Sequence, residues 1–131
     1  MRNAQCIMRN VLLICAALLV TACAKADPHI TQEDAVRIMK SNPDAIVLDV
    51  RTKDEFDKRH LPNALLVPID NLRAGDFSAL PDKDATILIY CWTGRRAEES
   101  AEILLEHGYK RVYEFGGLVD WTGDVEGTDA N

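Results

Sequence analysis

A chain of 131 residues, 47% hydrophobic and 27% charged, has room for one globular domain with a usable core. Its 15 Lys and Arg residues against 21 Asp and Glu leave a net charge of −6, which excludes a broad basic face and the nucleic-acid binding that depends on one. His29, His60 and His107 have no zinc-like spacing and no glycine-rich phosphate loop is present, so neither a metal nor a cofactor is expected.

In chain order, residues 1–22 are not globular. Arg2 and Arg9 make a basic start, and residues 11–20 form an unbroken apolar run of ten. A membrane-crossing helix needs about 20 apolar residues, so this run reads as the core of a signal peptide. Two cuts fit the residues that follow. Val20-Thr21-Ala22-Cys23 resembles the lipobox of bacterial lipoproteins, in which cleavage precedes a cysteine that is then acylated. Ala24-Lys25-Ala26 is the A-x-A pattern of ordinary signal peptidase. The first resemblance implies an exported protein facing the periplasm, tethered to membrane through lipid on Cys23. With Ala24 rather than an aspartate next, it implies the outer membrane over the inner. Two or more acyl chains anchor stably, at about 0.8 kcal/mol per buried CH₂. Loss of residues 1–22 leaves 13 basic residues against the 21 acidic ones, a balance of −8, so charge adds no attraction to anionic headgroups. It also leaves two cysteines, Cys23 and Cys91. With Cys23 acylated, Cys91 is a single thiol in an oxidising compartment, a liability unless chemistry needs it.

Residues 23–29 read as a tether, and a single domain over 30–121 follows. Thr31 and Asp34 make an N-cap, after which Ala35, Ile38 and Met39 share a helical face to about Lys40. Asn42-Pro43-Asp44 turns the chain into an apolar strand over 45–49, closed by Asp49. Thr52 or Asp54 caps a short helix through Phe56 to Arg59. Leu61-Pro62-Asn63 turns into a strand over 64–67, residues 68–80 form a short helix and a loop, and 81–84 a turn. The run 85–90 is apolar, rich in β-branched residues, and of buried-strand length. A helix follows over 95–107, with Ala97, Ala101, Leu104 and Leu105 on one face and Gly108 as its C-cap. Residues 111–115 are the last strand; Gly116-Gly117 open a short helix carrying Trp121 as a core residue. The acidic, glycine-containing tail, 122–131, is expected to fray. Strands alternating with helices predict an α/β fold: a parallel sheet with helices on both faces and ligands at the carboxyl ends of the strands.

Cys91 stands at such an end. The strand stops there, a loop of Trp92, Thr93 and Gly94 follows, and Arg95 and Arg96 open the next helix. Backbone N–H groups, the helix dipole and two guanidinium groups all favour an anion at that point, surroundings that suit a thiolate nucleophile. A buried inert thiol has no use for two flanking cations. Arg95 is expected to face outward, toward an anionic donor, and Arg96 to close the loop on carbonyls or the Asp49 region. Trp92 either walls the pocket or shields the thiol. Asp49 and Arg51, two apart on a strand, share a face and read as structural support for the site. His60 reads as a structural histidine, because transfer from an ionised sulfur needs no general acid.

Cys91-Trp92-Thr93-Gly94-Arg95-Arg96 resembles the six-residue Cys-x-x-Gly-x-Arg loop of rhodanese-type sulfurtransferases. The resemblance extends through Leu48-Asp49-Val50-Arg51, Glu55-Phe56 and His60-Leu61-Pro62-Asn63-Ala64, then Gly108-Tyr109, Val112, Gly116-Gly117-Leu118 and Trp121. Asn63 departs from it, standing where the family usually has glycine. It implies the rhodanese-like α/β fold and a thiosulfate sulfurtransferase without cofactor. In that reading a small-molecule donor passes a sulfane sulfur to Cys91, residues 92–96 cradle the persulfide, and a thiophilic acceptor removes it. Two other classes compete. A non-catalytic rhodanese-like binding module is disfavoured by the presence of Cys91. A phosphatase or arsenate reductase-like enzyme is disfavoured because a Cys-x₅-Arg loop needs arginine where Ala97 stands.

Overall fold

The computed structural model describes residues 27–130. The signal peptide proposed for 1–22, the lipidation of Cys23 and the first part of the proposed tether lie outside the described residues.

Four strands, β1 (Ile46–Asp49), β2 (Leu65–Leu66), β3 (Thr86–Cys91) and β4 (Arg111–Gly117), form one sheet in the order β2-β1-β3-β4. Every pairing is parallel. Between them run α1 (Gln32–Ser41), α2 (Lys53–Lys58), α3 (Ile69–Arg73) and α4 (Arg95–Glu106), and a 3₁₀ turn (Leu118–Asp120) follows β4. The predicted parallel α/β architecture is the one observed.

The continuous apolar character of β3 follows from burial on both faces. Ile87, Ile89 and Cys91 join Leu72 of α3 and Ala97, Ala101 and Leu104 of α4 in one core. Leu88 and Tyr90 point the other way and pack with Ala35 of α1, Leu61, Phe115 and Leu118. Alternation along one strand thus puts Cys91 on the α4 side of the sheet.

The caps follow local chemistry. Thr31 Oγ1 accepts the Asp34 N–H at 3.1 Å. Thr52, not Asp54, caps α2, in a reciprocal capping box with Glu55. α4 ends at Glu106 with His107, not Gly108, as its C-cap, and Gly108 follows in the left-handed region at φ +88°. Asn63 has φ +59°, so the residue that departs from glycine is one that tolerates the left-handed region.

Four expectations need correction. β2 spans Leu65–Leu66 rather than 64–67. Gly116 and Gly117 belong to β4; the terminal helix is a single 3₁₀ turn from Leu118, with Trp121 as its C-cap, half-buried against Phe115. The end of the proposed tether is not free: Glu114 N–H donates to Pro28 O and Ile30 N–H to Glu114 O, both at 2.9 Å, covering the outer edge of β4. The described part of the tail, 122–130, is not frayed either. Glu126 and His60 exchange two backbone bonds of 2.8 Å, and the Thr128 and Asp129 N–H groups donate to Asp57 O and Lys58 O. Gly127 makes this docking possible, because a Cβ there would lie 2.5 Å from Lys58 O.

Candidate active site

The cysteine at the end of β3 is 1% exposed, and the Gly94 N–H donates to its Sγ at 3.0 Å. Gly94 is the N-cap of α4 at φ +105°, with no side-chain cap, so the first-turn N–H groups of the helix remain available at the loop. Glycine enters this conformation without strain.

The loop rests on a floor that sequence reasoning missed. A Cβ on Gly94 would sit 3.2 Å from Gly116 Cα, and one on Gly117 only 2.0 Å from Trp92 O. Val119 N–H donates to that same Trp92 carbonyl at 3.0 Å. The floor is fastened in turn. Buried Glu114 accepts the Gly116 N–H at 3.0 Å, and Gln32 Nε2 donates to Gly117 O at 3.1 Å. The paired glycines were visible in the sequence, but nothing local assigned them to the loop.

Arg96 does not reach the Asp49 region. Both ends of its fork donate to the Glu55 carboxylate, each at 2.8 Å. Glu55 also accepts the Thr52 N–H and is pulled down to about 2, mainly by the Arg96 hydrogen bonds and then by Thr52 against a burial cost. Arg96 is held more firmly protonated, by Glu55 above all and further by the neighbouring Cys91 sulfur. The reason for the different partner is that Asp49 is already occupied. Its two oxygens accept from Arg51 Nε and the Arg51 fork at 2.7–3.2 Å, and both residues are nearly inaccessible. Arg51 goes on to the Arg59 carbonyl at 2.5 Å and lies 5.7 Å from the Tyr90 ring centre. Asp49 and Arg51 therefore tie the end of β1 to the end of α2. Tyr90, whose hydroxyl accepts the Leu61 N–H, is pushed well above its ordinary range by burial first and Asp49 second. His60 is structural as expected: it donates through Nδ1 to Phe56 O at 2.7 Å and stacks on the Phe56 ring at 3.8 Å.

Thr93 and Arg95 are exposed. Together with Gly94 they line a groove that also carries the carboxylates of Glu98, Glu102 and Glu114. Trp92, 41% exposed, is a wall of a second groove, with Arg51, Glu55, Lys58, Arg59 and Asp129. Among the described residues no cluster of three metal-ligating side chains occurs, and no helix is long and apolar enough to cross a membrane.

Comparison with known proteins adds lineage to this geometry. The rhodanese-like domain model matches residues 31–124. The thiosulfate sulfurtransferase GlpE of Coxiella burnetii is 32% identical over 104 residues, which cover 79% of this chain and 94% of that protein. The thiosulfate sulfurtransferase PspE of Escherichia coli is 36% identical over 73 residues, covering 56% of this chain and 70% of the relative. Among solved structures, a rhodanese with anions from E. coli superposes with a TM-score of 0.57 at 31% identity, over 63% of this chain and 98% of the other.

Proposed function

The chain belongs to the rhodanese-like domain family, and from that premise we propose that it is a sulfurtransferase carrying a sulfane sulfur on Cys91. The observation that carries this reading is the single hydrogen bond from Gly94 N–H to Cys91 Sγ, made at the uncapped start of α4 with the Arg96 guanidinium alongside. Donors already aimed at a sulfur favour the anionic forms the chemistry uses.

In the first half-reaction the Cys91 thiolate attacks the outer sulfur of a donor such as thiosulfate. The Cys91 S–S bond forms, the sulfur–sulfur bond of thiosulfate breaks, and its electron pair leaves with sulfite. In the second, a thiophilic acceptor takes the outer sulfur and the pair returns to Cys91 Sγ. Covalent storage divides one transfer into two easier ones. Residues 92–96 cradle the bound sulfur in this scheme, with Arg96 anchored by Glu55 and Arg95 facing solvent.

The test is an intact mass after incubation with thiosulfate. One added sulfur is expected on the wild type and none on Cys91→Ser, which should also lose sulfur transfer to cyanide while remaining folded. Substantial turnover by Cys91→Ser would overturn the mechanism.

A further inference from the structure

The groove behind Trp92 is larger than sulfur transfer from thiosulfate requires. Its volume is about 380 Å³, and six residues line it: Arg51, Glu55, Lys58, Arg59, Trp92 and Asp129. Cavities of that size hold small organic molecules. Its charges are not all spoken for. Arg51 is paired with Asp49 and Glu55 with Arg96, while Lys53 occupies Asp57. Lys58 and Arg59 enter no ion pair among the described residues, and Arg59 Nε is a buried donor with no acceptor. A buried donor left without a partner needs an explanation. Against these two cations stands one carboxylate, Asp129, whose Oδ1 accepts the Thr128 hydroxyl. The groove on the other side of the loop has the opposite sign, with Asp27, Glu98, Glu102 and Glu114 around Arg95 and His29. The two grooves flank the loop that follows Cys91, one through Trp92 and the other through Thr93 and Gly94, so an anionic molecule at this loop is favoured on the Trp92 side and repelled on the other.

We propose that the Trp92 groove is the acceptor subsite, and that Lys58 and Arg59 select an organic thiol carrying a carboxylate. The inference rests on the sulfurtransferase reading of Cys91. The exposed Trp92 ring offers an apolar face to the carbon chain of the thiol, and the two cations face its carboxylate. The acceptor thiolate attacks the outer sulfur of the Cys91 persulfide, the new S–S bond forms on the acceptor, and the Cys91 S–S bond breaks. Its electron pair stays on Cys91 Sγ, so an organic persulfide leaves and the thiolate is restored with no oxidant or reductant consumed.

The test compares two acceptors of similar size, 3-mercaptopropionate and 2-mercaptoethanol, with thiosulfate as donor. The readout is the ratio of their kcat/KM values in the wild type, in Lys58→Glu and in Asp129→Asn. Intrinsic differences in thiol reactivity cancel when the proteins are compared. Lys58 and Asp129 are both exposed, so neither substitution empties the core. The ratio should fall about fivefold in Lys58→Glu and rise in Asp129→Asn, the size expected of charges near solvent. High salt should draw the three ratios together. Equal ratios in all three proteins at low salt, with thiosulfate still adding a sulfur to Cys91, would overturn the subsite and leave the sulfurtransferase reading intact. Slower sulfur loading from thiosulfate in Lys58→Glu at an unchanged ratio would make the groove a donor site and overturn the proposal equally. A wild type that takes up no sulfur would remove the underlying reading itself.

Discussion

Arg96 and Glu55 hold each other through two parallel bonds, and the Thr52 capping box fixes Glu55 from the other side. The anchor of the loop's second arginine is thus a residue of the α2 cap, 41 positions away. Because Glu55 lies at about 2 rather than 4.5, its contribution to stability is complete above pH 4.5 and is lost as pH falls through 2. With its side chain 35% exposed, solvent screening holds that contribution to about 1 kcal/mol. Glu55→Gln should therefore be less stable than the wild type at pH 7 and indistinguishable near pH 2, as read from urea midpoints at the two pH values. At neutral pH the same variant should take up sulfur from thiosulfate about tenfold more slowly, since the guanidinium loses its fixed direction. A stability gap that persists unchanged at pH 2 would assign the pair no role in acid sensitivity.

Among elements, the decisive contact is between the β3–α4 loop and the end of β4. Parallel pairing continues to Cys91 opposite Gly117, across an irregularity after Ile89. The loop can lie there because Gly117 has no Cβ to meet the Trp92 carbonyl and Gly94 has none to meet Gly116 Cα. Gly117→Ala would drive a Cβ into the Trp92 carbonyl, a backbone atom that cannot step aside. We expect a loss of about 2–4 kcal/mol and of sulfur loading on Cys91. Gly75→Ala serves as the comparison. It has φ +78° but nothing within 4 Å of the added Cβ, so it should cost only the strain of about 1 kcal/mol and leave sulfur loading alone. Similar behaviour in the two variants would show that the floor does not shape the loop.

At the scale of the whole molecule, the acidic tail is a strap over the end of α2. Deleting residues 126–131 removes the two Glu126–His60 backbone bonds and those of Thr128 and Asp129 to Asp57 and Lys58. At about 0.5–1 kcal/mol for each bond near solvent, chemical denaturation should show a loss of roughly 2 kcal/mol. An unchanged midpoint would mean that the strap contributes nothing to stability. The leader reading carries its own prediction. If Cys23 is acylated, Cys23→Ser should leave the leader uncut or release the protein from membranes, as cell fractionation and the mature N-terminus would show. An unblocked Asp27 in the soluble fraction of wild-type cells would overturn the anchor without touching the chemistry of Cys91.

The order of strands and helices was legible in the residues alone, because caps, turns and apolar periodicity act over two to four residues. Thr31 at its cap, the doubly buried run of β3 and the glycine after α4 all belong to that range, and so does Cys91 at a strand end before Gly94-Arg95-Arg96; the choice of Thr52 over Asp54 as the cap of α2 does not. What those residues touch was settled by the folded chain, where distant segments meet. Arg96 meets Glu55 because Arg51 had already satisfied Asp49, a competition between partners far apart in the chain. Gly116 and Gly117 became the floor of the loop through the register of β4 against β3, which no local pattern encodes. The tail, polar and apparently ready to fray, is held because its backbone finds partners on α2 and at His60. The sign of each groove beside Cys91 arises in the same way, from charges on segments that meet only when the sheet has formed.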